Sequence, residues 1–139
     1  MAISLEDHIA IERLMYRYAH CADHKDYSGF KEVFTADAEF EFMGSTVAGI
    51  AAIIDMMHNL DQYRITQHLV SNVLYDVEGD SANGETYCHA SHLLDSDGCE
   101  LNIEMGIRYV DKLFRLPAGW RIQQRVFDLL WTRTVHGDA

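Results

Sequence analysis

The sequence predicts an α+β fold: a cone-like α+β barrel with N-terminal helices packed on a strongly curved, mainly antiparallel sheet. Three observations predict it. Apolar residues recur at helical spacing through the first third of the chain. The second half alternates apolar and polar residues in long segments. The breaks between those segments, such as Glu78-Gly79-Asp80 and Ser96-Asp97-Gly98, are too short for crossover helices, so the strands pair antiparallel.

Each element has a local cause. Ser4-Leu5-Glu6-Asp7 has capping-box spacing, with Asp where Glu is more usual. Behind it, Ile11, Leu14, Met15, Tyr18 and Ala22 fall on one helical face. A second short helix is expected from Asp26 to Phe34. Ala38-Glu39-Phe40-Glu41-Phe42 alternates like a strand, and Gly49 to Leu60 reads as a third helix. Four long strands are expected at 64–77, 83–95, 99–115 and 119–133. Asp97-Gly98 is a hairpin signal, and Pro117-Ala118-Gly119 suits a short turn. No linker or repeat divides the chain, so one domain over 1–139 is expected.

Composition narrows the function. Eleven Lys+Arg against 22 Asp+Glu leave a net charge of −11. Such a chain repels phosphate backbones and anionic lipid surfaces, which argues against nucleic acid and membrane as partners. No apolar run approaches the ~20 residues of a spanning helix, and no basic-then-apolar leader opens the chain. A cytoplasmic location is expected. The three cysteines form neither a disulfide framework nor a zinc pattern, and they are expected to be reduced.

Chemistry is sought where ionisable residues interrupt apolar pattern. Tyr18, His20 and Asp23 cluster near the end of the first helix, where Asp23 also reads as a solvated helix end. His68 opens a strand. In Tyr87-Cys88-His89-Ala90-Ser91-His92, residues Cys88, Ala90 and His92 share one strand face, and the small side chains leave room beside His92. Strict alternation in the last strand puts Arg121, Gln123, Arg125, Phe127, Leu129 and Trp131 together. Arg125 there is either a snorkelling edge residue or a pocket cation for an oxyanion.

Ile11 to Asp23, followed by Phe34-Thr35-Ala36-Asp37-Ala38-Glu39-Phe40, resembles the opening of SnoaL-like proteins of the nuclear-transport-factor-2-like superfamily. His68-Leu69-Val70-Ser71-Asn72 and Gly119-Trp120-Arg121-Ile122 resemble later hallmarks, in order along nearly the whole chain. By pattern the chain is similar to scytalone dehydratase, hexachlorocyclohexane dehydrochlorinase and bile-acid 7α-dehydratase, cofactor-free lyases built on an Asp–His pair. The resemblance implies Asp23 and His68 as that pair. It also implies Tyr18 and Arg125 as donors to a developing anion and His92 as general acid. Tyr16, Cys88, Ala90, Phe127, Leu129 and Trp131 are expected to line the substrate space. No cofactor or metal is implied.

The implied reaction is dehydration of a small cyclic or aromatic hydroxy-ketone. An isomerase or polyketide cyclase would use the same dyad. A ligand carrier, or a scaffold similar to the small subunit of ring-hydroxylating dioxygenases, is the reading without catalysis. Strand 64–77 carries apolar residues on both faces, with Leu69, Val73, Tyr75 and Val77 opposite Val70 and Leu74. One face is therefore expected to meet a second copy, a trimer before a dimer. His20, His24 and His89 receive no assigned role.

Overall fold

The computed structural model describes residues 2–137. Its elements are α1 (Leu5–Asp23), a 3₁₀ turn (Tyr27–Glu32), β1 (Phe34–Phe42), β2 (Ser45–Ala48), α2 (Ile50–Met57) and a second 3₁₀ turn (His58–Gln62). Four long strands follow: β3 (Ile65–Glu78), β4 (Ser81–Ser96), β5 (Cys99–Leu116) and β6 (Gly119–His136). The helices pack against one curved sheet ordered β2-β1-β6-β5-β4-β3. The predicted α+β class is the class observed. β3 to β6 form the antiparallel meander, and β1 runs parallel to β6.

α1 starts where Ser4 Oγ accepts the Asp7 N–H at 3.1 Å. Its Ile11, Leu14, Met15, Tyr18 and Ala22 are buried against the sheet. The expected second helix is only a 3₁₀ turn, capped by the Asp26 carboxylate on Gly29 N–H. The strand after it begins at Phe34 rather than Ala38, because Phe34 pairs with Ile122 of β6. β2 escaped the sequence reading. It is four residues long, and its turn uses Met43 and Gly44, both at positive φ (51° and 84°). A two-residue hairpin wants that geometry, but Met is not a residue that advertises it. Asp97 and Gly98 adopt the same geometry (51° and 79°) between β4 and β5, where the sequence did signal the turn.

Three bulges decide which side chains face inward. In β3, Val70 opposes Cys88 but Val73 opposes Thr86, so the strand carries one extra residue. Val70, Val73 and Val77 therefore all lie against the core, with Leu69 and Leu74 outside at 54% and 79% exposure. This corrects the expected split of β3, which set Val70 against Val73. In β6, Gln123 is extra between the pairs Ile122–Leu113 and Gln124–Lys112, and Leu130 is extra between Leu129–Ile107 and Trp131–Gly106. Each extra residue flips the alternation that follows. Trp120 and Ile122 thus share the inner side with Arg125, and Arg121 does not. Trp131 turns outward, 45% exposed, and its indole lies across Gly106 where any Cβ would collide.

Candidate active site

Asp23 is the last residue of α1, where the helix dipole disfavours a negative charge. Donors on β3 offset this. His68 Nδ1 lies 2.6 Å from Asp23 Oδ1, the Thr66 hydroxyl donates to the same oxygen at 3.0 Å, and the His68 backbone N–H donates to Oδ2 at 3.0 Å. Burial pushes the Asp23 carboxyl up. The hydrogen bonds from His68 and Thr66 outweigh that push, and its pKa ends below the ordinary carboxylate value. A carboxylate only accepts, so the tautomer of neutral His68 that fits this bond carries its proton on Nδ1 and leaves Nε2 free to accept. The imidazole is 6% exposed and faces a cavity.

That cavity, about 200 Å³, lies between α1, the α2 end and the inner sheet face. Its wall is mainly apolar: Phe40 and Phe42 from β1, Met105 and Ile107 from β5, and Phe127 from β6. Tyr18, Tyr63, Tyr109, His68 and His92 supply polar atoms, with Asn59 and Gln62 at the rim. His92 stands edge-on to His68, ring centroids 5.6 Å apart. Its Nδ1–H donates to the Ile103 carbonyl at 3.0 Å, and its backbone N–H is held by Asn102 at 3.1 Å. Burial, the largest influence, lowers its pKa and favours the neutral ring. A neutral ring in this tautomer presents a bare Nε2. Burial thus works against the protonated form that the expected general-acid role of His92 requires.

Arg125 departs further from expectation. It is fully buried and does not line the cavity. Its Nε and Nη2 donate to both Asp111 oxygens at 2.8 and 2.7 Å. Its guanidinium lies over the rings of Tyr18 (4.3 Å) and Tyr109 (4.0 Å), the two residues that do line the cavity. Asp111 also accepts from Tyr75 at 2.6 Å, and Tyr75 shares a hydrogen bond with Thr86. This is a sealed charge network, not a pocket cation. Asp111 was missed. An inward Arg on a buried strand demands a carboxylate, and Asp111 is its register partner on β5.

The expected lining residues divide. Phe127 lines the cavity. Tyr16 does not: two residues from Tyr18 on α1, it points to the opposite side, 47% exposed, and bonds Glu12 at 2.6 Å. Trp131 is carried outside by the Leu130 bulge. Cys88, Ala90 and Leu129 lie behind the cavity wall, packed in or against the core. Burial pushes the Cys88 thiol up to about 12, which leaves it an inert apolar filler.

The segment Met56 to Tyr63 is the wall that sequence reasoning did not tie to the site. Two anchors hold it: Lys25 Nζ donates to the Tyr63 carbonyl at 2.7 Å, and Tyr27 and His58 both bond Asp61. The signal was the apolar Met56-Met57 and Leu60 at a helix end. Among the described residues, no group of three or more His, Cys, Asp or Glu side chains is arranged to hold a metal ion. Nor, among the described residues, is any helix long and apolar enough to cross a membrane.

Known proteins match this architecture. An uncharacterized protein of Mycobacterium tuberculosis strain H37Rv is 26% identical over 125 residues, covering 88% of this chain and 84% of its own. A crystal structure from Novosphingobium aromaticivorans described as an aromatic ring hydroxylase superposes with a TM-score of 0.84 at 27% identity, covering 98% of this chain and 96% of its own. One from the same organism described as a scytalone dehydratase reaches 0.85 at 22%, covering 97% and 91%. A hexachlorocyclohexane dehydrochlorinase from Novosphingobium barchaimii reaches 0.82 at 18%, covering 94% and 91%. The last two likenesses establish the shared fold. The SnoaL-like domain model matches residues 4–126. With nearly the whole chain matched and the fold in agreement, the protein belongs to the SnoaL-like family of the nuclear-transport-factor-2-like superfamily.

Proposed function

We propose that the protein is a cofactor-independent lyase that eliminates water from a small, largely apolar hydroxy-ketone. The observation that carries the reading is the His68 ring, bonded through Nδ1 to Asp23 at 2.6 Å and turned toward an apolar cavity. Asp23 holds the tautomer and stabilises the imidazolium that forms. His68 Nε2 removes the proton alpha to the carbonyl, and the electron pair moves onto the carbonyl oxygen as an enolate. The Tyr18 phenol, at the cavity wall, is the donor assigned to that oxygen. His92 Nε2 accepts a hydrogen bond from the substrate hydroxyl and fixes its position. The enolate then collapses to the enone and expels hydroxide, which takes the proton from His68 and leaves as water. His68 is returned to its starting form. Two solved structures of this fold, one described as a scytalone dehydratase and one named a hexachlorocyclohexane dehydrochlorinase, carry names of eliminations and support the reading.

The test is a panel of cyclic and aryl β-hydroxy-ketones, followed by enone absorbance and by exchange of the alpha proton in D₂O. Turnover that vanishes in His68→Ala and falls ~10²–10⁴-fold in Asp23→Asn is the expected result. Equal turnover in wild type and both variants sinks it. Tight binding without exchange or turnover turns the reading to a carrier.

A further inference from the structure

A second concavity lies outside the core, between the solvent face of α1 and the start of β6. Its volume is about 570 Å³, the size of a small-molecule site. Arg13, Arg17 and His20 of α1 form one wall, and Arg121 forms the other beside Trp120. The chain has eight arginines. Six of them, Arg17, Arg64, Arg108, Arg115, Arg125 and Arg133, hold a carboxylate within 4 Å. The other two, Arg13 and Arg121, have no carboxylate partner among the described residues, and both line this groove. In a chain of net charge −11, with carboxylates to spare, that convergence calls for a cause.

Three further features point the same way. Arg13 and Arg17 stand four apart on one helix face, a like-charged pair that weakens a helix unless an anion lies between them. Arg121 is set in place, its Nη1 donating to the Trp120 carbonyl at 2.9 Å. Gly119, at φ 128°, lies against it: a Cβ there would stand 3.5 Å from Arg121 Nη1. Glu32 cancels one charge by pairing with Arg17 at 3.2 Å. Three guanidinium charges against one carboxylate leave two positive charges, with Ala10, Leu14 and Trp120 as an apolar floor.

We propose that this groove binds the phosphate of a small phosphomonoester, held between Arg13 and Arg17 on one side and Arg121 on the other. A phosphomonoester carries close to two negative charges at neutral pH and offers three acceptor oxygens, which two facing guanidinium forks can share. The groove opens on the side of α1 away from the His68 cavity, so it is a separate site and stands independently of the lyase reading.

The experiment is a titration of the ¹⁵N-labelled full chain at low ionic strength with phenyl phosphate, inorganic phosphate and glutarate. The arginine Nε–Hε signals are followed. Saturable shifts of Arg13, Arg17 and Arg121 with phenyl phosphate are expected, with inorganic phosphate weaker and glutarate weaker still. Arg13→Gln and Arg121→Gln should each weaken phenyl phosphate at least fivefold. Arg133→Gln, an exposed control, should change nothing. Glutarate binding as tightly as phenyl phosphate overturns the phosphate assignment. Shifts that do not saturate, or that spread to Arg64 and Arg133, overturn the site itself.

Discussion

Two close acid–base pairs lie against the inner face of the same sheet, and they do opposite things. His68 and Asp23 meet at 2.6 Å, and Arg125 and Asp111 meet at 2.7 Å. The first pair leaves one ring nitrogen open toward an apolar cavity. In the second, the Arg125 guanidinium is closed in by Asp111 on one side and by the rings of Tyr18 and Tyr109, with both charged side chains at 0–1% exposure. Distance alone does not distinguish them; access does. A pair with an unspent nitrogen facing a cavity can trade a proton with a ligand. A pair whose charge is spent internally sets the shape of the core, and it charges the protein heavily if half of it is removed.

The comparison is sharpest where one partner is deleted. Asp111→Ala strands the Arg125 guanidinium, whose Nη1 already lacks a partner. A loss of ~3–5 kcal/mol in unfolding free energy is expected from urea denaturation. The double variant Asp111→Leu/Arg125→Met should recover most of it. If Asp111→Ala is tolerated within ~1 kcal/mol, the network is not the structural element described above.

Asp23→Asn should behave differently. The carboxylate is only partly buried, and the amide still accepts from Thr66, so the fold is expected to survive with a loss of ~1–2 kcal/mol. The exchange and elimination assays are where it should fail. A variant that unfolds outright would place Asp23 with Asp111 as a structural residue.

Acid acts on the first pair and its surroundings in two stages. His92, beside His68, has a folded pKa below its ordinary value, chiefly through burial. The unfolded chain therefore binds the proton first, and stability falls as pH drops below ~6.5 toward the folded value. Asp23 adds a second loss at lower pH. Its folded pKa is depressed, so its contribution is complete above ~3.9 and disappears as pH falls through the folded value. Urea midpoints between pH 7.5 and 4 should decline in His92⁠-containing protein, and His92→Gln should remove the first part of the decline.

The smallest effect is expected outside the sheet. Leu74 is 79% exposed, so Leu74→Ser should change monomer stability by no more than ~0.5 kcal/mol. The outer face, with Leu69, Leu74 and Trp131, is where the expected homo-oligomer would form, and sedimentation of this variant tests it. An unchanged assembly state in Leu69→Ser/Leu74→Ser/Trp131→Ser moves any interface elsewhere.

Much of this was legible in residue order. The helical face of α1, the Asp97-Gly98 turn and the four long strands each follow from local pattern, because capping, amphipathic spacing and turn chemistry act over a few residues. Asp23 and His68 stood out by resemblance, and the structure brings them into contact across 45 positions. Arg125 was misread for a physical reason. Alternation says which face a residue takes only until a bulge intervenes, and it says nothing of what waits on the neighbouring strand. Trp131 and Leu129 diverged at Leu130 for the first reason, and Arg125 met Asp111 for the second.

The sequence by itself therefore determined α1, the four long strands, their order and the antiparallel meander, all set by short-range chemistry, while β2 and the 3₁₀ form of the second helical segment were not legible in it. Tertiary structure decided which inward groups open on the cavity and which are sealed. That depends on bulges in β3 and β6, on cross-strand register and on the Met56 to Tyr63 wall. These bring together residues far apart in the chain, and no local periodicity encodes their meeting.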